Sequence, residues 1–284
     1  MTPLLKATGL GMTYAGQFVA LRDLDIEIQP GERVAVIGRS GAGKSTMLRI
    51  FNRLLNPTAG CLELDGKDIT HAQGSELRQV RRRVGMVFQQ FNLVSRLSVL
   101  DNVLVGTLGS RRGLALLPSL WRQFSADDRD WAMHCLNEVG IENLARKRAT
   151  ELSGGQQQRV AIARLLAQRA DVILADEPIA SLDPRSAEQV MGILRMINET
   201  HGVAVITNLH QVDIATRFAY RIIGLRDGVM VMDTSADHLN DALLEHLYGD
   251  QLDEAQAESR SISSRIINET QRRAGHAVFT QAAL

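Results

Sequence analysis

A chain of 284 residues, 45 % hydrophobic and 23 % charged, is long enough for one large domain, or one domain with an insertion, and has an ordinary globular composition. Its 32 Lys+Arg balance 32 Asp+Glu, and this zero formal charge argues against a nucleic-acid surface, which would show a basic excess. The two cysteines, Cys61 and Cys135, lack metal-ligand spacing and suit a reducing compartment; the first residues do not resemble a signal peptide, and no run of about eighteen apolar residues is present to span a membrane.

Residues 4–30 alternate apolar and polar positions, as in Leu21-Arg22-Asp23-Leu24-Asp25-Ile26. This spacing predicts half-buried antiparallel strand, closed by the turn Gln29-Pro30-Gly31-Glu32. Tyr14 stands among small and polar neighbours ahead of Phe18. A flat ring in such a loop can stack on a nucleobase, and an ordinary packing tyrosine is the competing reading.

The run Arg33-Val34-Ala35-Val36-Ile37 leads into Gly38-Arg39-Ser40-Gly41-Ala42-Gly43-Lys44-Ser45, and Thr46-Met47-Leu48-Arg49-Ile50-Phe51 continues at helical spacing. Strand, glycine-rich turn and helix, with Gly, four residues, then Gly-Lys-Ser, is the pattern of a phosphate-binding loop. Three glycines let the backbone curl with its N–H groups inward, and the helix adds its positive end. Lys44 supplies a charge for the β- and γ-phosphates, and Ser45 a hydroxyl for a magnesium ion. The pattern implies a nucleoside triphosphate site.

Cys61 to Ile69 reads as strand, Asp-Gly turn, strand. The basic cluster Leu77-Arg78-Gln79-Val80-Arg81-Arg82-Arg83 precedes the strand Val84-Gly85-Met86-Val87-Phe88 and reads as a solvated face. Residues 91–165 have the texture of a helical insertion, including a predicted helix from Asp127 to Val139 that ends at Gly140. Within it the apolar piece around Trp121 is either a satellite core or a patch that meets a partner. Leu152-Ser153-Gly154-Gly155-Gln156 opens a helix predicted over Gln157 to Ala167. Small residues and bare N–H groups at a helix start form a second phosphate-binding surface.

The strand Val172-Ile173-Leu174-Ala175 ends in Asp176-Glu177, the end at which open α/β sheets bind ligands. Asp176 can hold magnesium and Glu177 can polarise the water that attacks the γ-phosphate. Gln89, at another strand end, can reach the metal or that water, and His210, after the strand Val203 to Thr207, can contact the γ-phosphate. Each of these two also has a plain structural reading. Ser181-Leu182-Asp183-Pro184 starts a helix, and Asp227-Gly228 marks a hairpin between Arg221–Leu225 and Val229–Met232. The alternation of strand and helix indicates an α/β fold with a mainly parallel sheet and helices on both faces. Residues 1–249 are expected to form one unit, and the polar residues 250–284 a loosely attached tail. Two unlike phosphate surfaces in one chain suggest two chains paired head to tail, each nucleotide held between one chain's loop and the other's Ser-Gly-Gly turn.

Gly38–Ser45, Gln89, Leu152–Gln156, Val172–Glu177, Ser181–Asp183 and His210, in this order and spacing, resemble the ATP-binding subunit of ABC transporters. The resemblance implies a P-loop NTPase core with an N-terminal antiparallel β subdomain and an inserted helical subdomain. It also implies an ATP-sandwich homodimer that hydrolyses ATP with Mg2+ and moves two transmembrane permease subunits from the cytoplasmic face of the bacterial inner membrane. It assigns Tyr14 to base stacking, Gln89 to sensing the membrane subunits, and Asp183 to a contact across the dimer. Phe88–Leu100, Asp176–Pro184 with its Ile179, and Leu209–Asp213 look like the phosphonate-import ATPase, which works with a periplasmic phosphonate- or phosphite-binding protein. Asn208 departs from that pattern, which tends to have Thr, and the tail is longer than usual. An importer ATPase for another solute such as an amino acid, or a soluble ABC ATPase acting on nucleic acid or ribosomes, is the alternative.

Overall fold

A computed structural model describes residues 2–110 and 124–249. The predicted features at Trp121 and in the tail lie outside the described residues. The elements in chain order are β1 (Leu5–Thr13), β2 (Val19–Ile28), β3 (Arg33–Ile37), α1 (Lys44–Phe51), β4 (Ala59–Leu64), β5 (Lys67–Asp68), α2 (Gly74–Arg83) and β6 (Val84–Val87). Then come α3 (Val99–Thr107), α4 (Ala126–Glu138), α5 (Gly154–Gln168), β7 (Val172–Asp176) and α6 (Pro184–His201). The described chain closes with β8 (Ala204–Asn208), α7 (Val212–Phe218), β9 (Arg221–Arg226), β10 (Val229–Ser235) and α8 (Asp241–Tyr248).

Two sheets form. One is antiparallel, ordered β2-β1-β4-β5; the other is ordered β10-β9-β3-β8-β7-β6, parallel except for the β9–β10 hairpin. The strands β3, β6, β7 and β8 are buried on both faces, which explains their near-continuous apolar runs. Their side chains alternate between two cores. Val34 and Val36 of β3 join the core shared with the antiparallel sheet, while Ala35 and Ile37 join the core beneath the helices. The fold expected from the strand–helix alternation, including the antiparallel β layer and the helical elements, is the one the chain adopts.

Local chemistry sets the helix starts. Ser125 and Asp128 form a reciprocal capping box, so α4 begins one residue before its expected start. Ser153 and Gln156 do the same for α5, which begins three residues before the predicted Gln157. Asp183 caps α6 by accepting a hydrogen bond from the Ser186 N–H at 3.0 Å, with Pro184 at the first helical position. Hydrogen bonding from the Ser186 hydroxyl, and then from its N–H, holds the Asp183 carboxyl below the usual carboxylate range.

Helix α3 packs on α5 through Gly106, where a Cβ would sit 2.2 Å from the Arg164 carbonyl oxygen. Only a bare backbone permits that approach. Gly106→Ala should therefore lower stability by about 1–3 kcal/mol through overpacking, read from the urea unfolding midpoint; an unshifted midpoint would remove this contact from the packing account.

Candidate functional site

The loop from Gly38 to Gly43 joins β3 to α1 and wraps the amino end of that helix. Gly38 has φ +145°, and a Cβ there would lie 2.1 Å from the Leu225 carbonyl oxygen; Gly43 has φ +101°, with Ala20 O at 2.5 Å. These two glycines let the loop lie against its neighbours. Gly41 differs: at φ +81° its missing side chain faces open space, where a ligand has room to approach the backbone.

Lys44 is buried and its Nζ donates to the carbonyl oxygens of Gly38 at 2.6 Å and Arg39 at 2.9 Å. The cation thus sits inside the loop's own curl. Burial pushes its pKa below the ordinary lysine value, while Glu177 and Asp176 pull it back up. Ser40 is exposed at the loop's tip and Ala42 is buried beneath it. The Arg39 side chain turns away: its Nη2 donates to the Tyr248 carbonyl oxygen at 2.6 Å, at the carboxyl end of α8. Only the backbone of Arg39 remains as a phosphate contact.

Ser45 Oγ donates to Asp176 Oδ1 at 2.7 Å, joining the start of α1 to the end of β7. The buried Asp176 accepts a second bond on that oxygen, from Asn208 Nδ2 at 2.8 Å, and its Oδ2 faces Arg49 Nη2 at 3.9 Å. Glu177 has φ +50°, a left-handed backbone that costs a residue with a side chain about 1–2 kcal/mol. Its Oε1 lies 2.7 Å from His210 Nε2. The two strand-end residues predicted separately are hydrogen-bonded partners.

Gln89 follows β6, the edge strand next to β7, and is exposed. Among the described residues no hydrogen bond ties it to Ser45 or Asp176; it lines an open groove of about 470 Å³ with Gln157 and Ser181. Tyr14 is half-buried, its hydroxyl 3.3 Å from Thr46 Oγ1 and its ring 6.5 Å from that of the exposed Phe18. Ser153 is exposed at the amino end of α5. Gly155 has a packing reason of its own, since a Cβ there would meet Ser186 at 2.7 Å, and one at Gly154 would meet Leu182 at 3.2 Å.

Sequence reasoning missed two features. The Arg39–Tyr248 bond joins residues far apart in the chain, with no local signal. Asn208 carried a signal, as a polar residue ending an apolar strand, but its partner depends on β8 and β7 being neighbours.

A family model described as ABC transporter matches residues 21–180. The chain is 46 % identical over 245 residues to "Phosphonates import ATP-binding protein PhnC 2" of Halalkalibacterium halodurans, covering 86 % of this chain and 99 % of that protein. It is 50 % identical to "Phosphonates import ATP-binding protein PhnC" of Bradyrhizobium diazoefficiens, covering 86 % and 90 %. Among solved structures it resembles the dimeric post-hydrolysis state of the ATP-binding cassette MJ0796 bound to ADP and Pi, with TM-score 0.72, 36 % identity, and 82 % and 98 % coverage. With the phosphate loop, the paired acids and the capped Leu-Ser-Gly-Gly-Gln turn in these positions, the chain belongs to the ABC transporter family.

Proposed function

We propose that this chain is the ATP-hydrolysing subunit of a phosphonate importer, acting as a homodimer against two transmembrane permease subunits. The observation that carries the ATPase is the convergence of Lys44, Ser45, Asp176, Glu177 and His210 at the carboxyl ends of β3, β7 and β8. The cargo follows from the likeness, at 46–50 % identity, to phosphonate-import proteins over nearly their whole length. A periplasmic binding protein for phosphonate or phosphite completes such a system. Among the described residues no helix is long and apolar enough to cross a membrane. In this reading the work on the membrane passes through partner subunits on its cytoplasmic face.

ATP enters over the loop. The N–H groups of residues 39–45 and the positive end of α1 receive its phosphates, and Lys44 exchanges its two carbonyl partners for phosphate oxygens. Tyr14 gives the adenine a ring to stack on once it leaves Thr46.

The Ser45 hydroxyl and the Asp176 carboxylate, already in contact, would hold Mg2+, joined by the Gln89 amide oxygen from the neighbouring strand end. Such hard oxygen donors suit an ion that usually takes one or two carboxylates plus substrate phosphates. When bound, the ion offsets charge on the β- and γ-phosphates. Glu177 then polarises the attacking water, with His210 fixing its carboxylate through the Nε2 bond and standing ready for the γ-phosphate.

The exposed Ser153 and the N–H groups of Gly154 and Gly155 make the second phosphate surface, with Gln156 holding Ser153 in place through the capping box. A second copy brings it over the γ-phosphate, and Asp183 lies at the same seam. Departure of the γ-phosphate releases the pair, and Gln89 and its groove carry the change to the permease.

Two substitutions separate binding from chemistry. Lys44→Ala should weaken ATP binding at least about tenfold, the scale of one charge-assisted partner, measured by fluorescent-nucleotide titration; unaltered affinity would remove Lys44 from the phosphate site. Glu177→Gln should keep ATP affinity while phosphate release falls by a factor of 100 or more, on the order of a lost general base. Turnover at the unaltered rate would clear Glu177 of that role. For the cargo, cells relying on this chain should grow on a phosphonate as sole phosphorus source and stop when it is deleted; growth that depends on the chain only with a different solute would reassign the importer.

A further inference from the structure

Asn208 ends β8 and is the register partner of Asp176 in β7. The strand order β3-β8-β7 places β8 between the strand that feeds the phosphate loop and the strand that ends in Asp176. Ser45 therefore reaches over the end of β8 to touch Asp176, and Asn208 lies at that crossing.

The Asn208 side chain is fully buried. Its Nδ2 donates to Asp176 Oδ1 at 2.8 Å, and its own Oδ1 accepts no hydrogen bond from the described residues. Exchanging the amide's two ends would set an oxygen against a carboxylate oxygen, so the donor must face Asp176. A buried amide with an unpaired oxygen is costly in a strand where Val205 and Ile206 are also fully buried. Its contact shows what it does there.

Asp176 Oδ1 takes two donors, Ser45 from the helix side and Asn208 from the neighbouring strand. Two donors on one oxygen fix the rotation of the carboxylate. Among the described residues, Oδ2 faces the distant Arg49 guanidinium, at 3.9 Å. We propose that Asn208 is a positioning residue for the metal: it locks the Asp176 carboxylate in the orientation that serves the magnesium ion of the bound nucleotide. This inference rests on the reading that Ser45 and Asp176 hold the ion.

The test uses the full chain, the non-hydrolysable analogue AMP-PNP, and Mn2+ as a magnetic stand-in for Mg2+. Mn2+ binding is titrated by electron paramagnetic resonance, and AMP-PNP affinity is measured separately in EDTA. Asn208→Leu keeps nearly the same volume without the donor. It should weaken Mn2+ binding about tenfold, the scale of a lost outer-shell partner, and leave the metal-free AMP-PNP affinity unaltered. If the leucine variant does not fold, Asn208→Ala removes the same donor without added bulk, with the same expectation. Unaltered Mn2+ affinity, or an equal loss with and without metal, would overturn the positioning role, because a merely structural bond affects both states alike. If the unaltered chain binds no Mn2+ in the presence of AMP-PNP, the metal reading of Ser45 and Asp176 falls, and the inference with it.

Discussion

The hydrogen bond from Ser45 Oγ to Asp176 Oδ1 is the constraint on which the site depends. It ties the first turn of α1 to the end of β7 across an intervening strand, and so fixes the phosphate loop relative to the acids. Through it Lys44, which precedes Ser45, is held in register with Glu177, which follows Asp176. The sheet makes the bond possible: β3, β8 and β7 are parallel and buried on both faces, so their carboxyl ends cannot shift without disturbing two cores at once.

That burial also sets the electrostatics. A cation held at Lys44 among carbonyl oxygens, with its pKa pushed down, is a poor resting state. Phosphate oxygens offer it full negative charge in place of two dipoles. The strained Glu177 backbone and its His210 partner belong to the same pattern, in which local stability yields to preorganised chemistry.

Much of this was legible in the residues, and the remainder was not for physical reasons. The phosphate loop follows from glycine spacing, and the start of α6 follows from Ser181-Leu182-Asp183-Pro184, because capping is local. Helix α5 starts three residues before its expected start, because the Ser153–Gln156 capping box reads in the sequence as bare N–H groups. Burial on both faces was readable in the unbroken apolar runs of β3 and β7. Strand order was not, since pairing between β8 and β7 joins residues about thirty apart, and the meeting of Asn208 with Asp176 depends on it. Gly155 was readable as a phosphate contact, yet the close approach of Ser186 is a packing reason visible only in three dimensions. The meaning of Tyr14 was balanced between packing and stacking, and in the described structure it touches Thr46 and lies near Phe18.

The proposed homodimer requires each chain to carry half of two different sockets, so that ATP binds two chains to each other. Light scattering on the full chain carrying Glu177→Gln measures this directly. With saturating Mg-ATP the mass should rise from that of one chain to that of two, and return when ATP is replaced by ADP. A mass that stays at one chain throughout, with nucleotide demonstrably bound, would contradict the account.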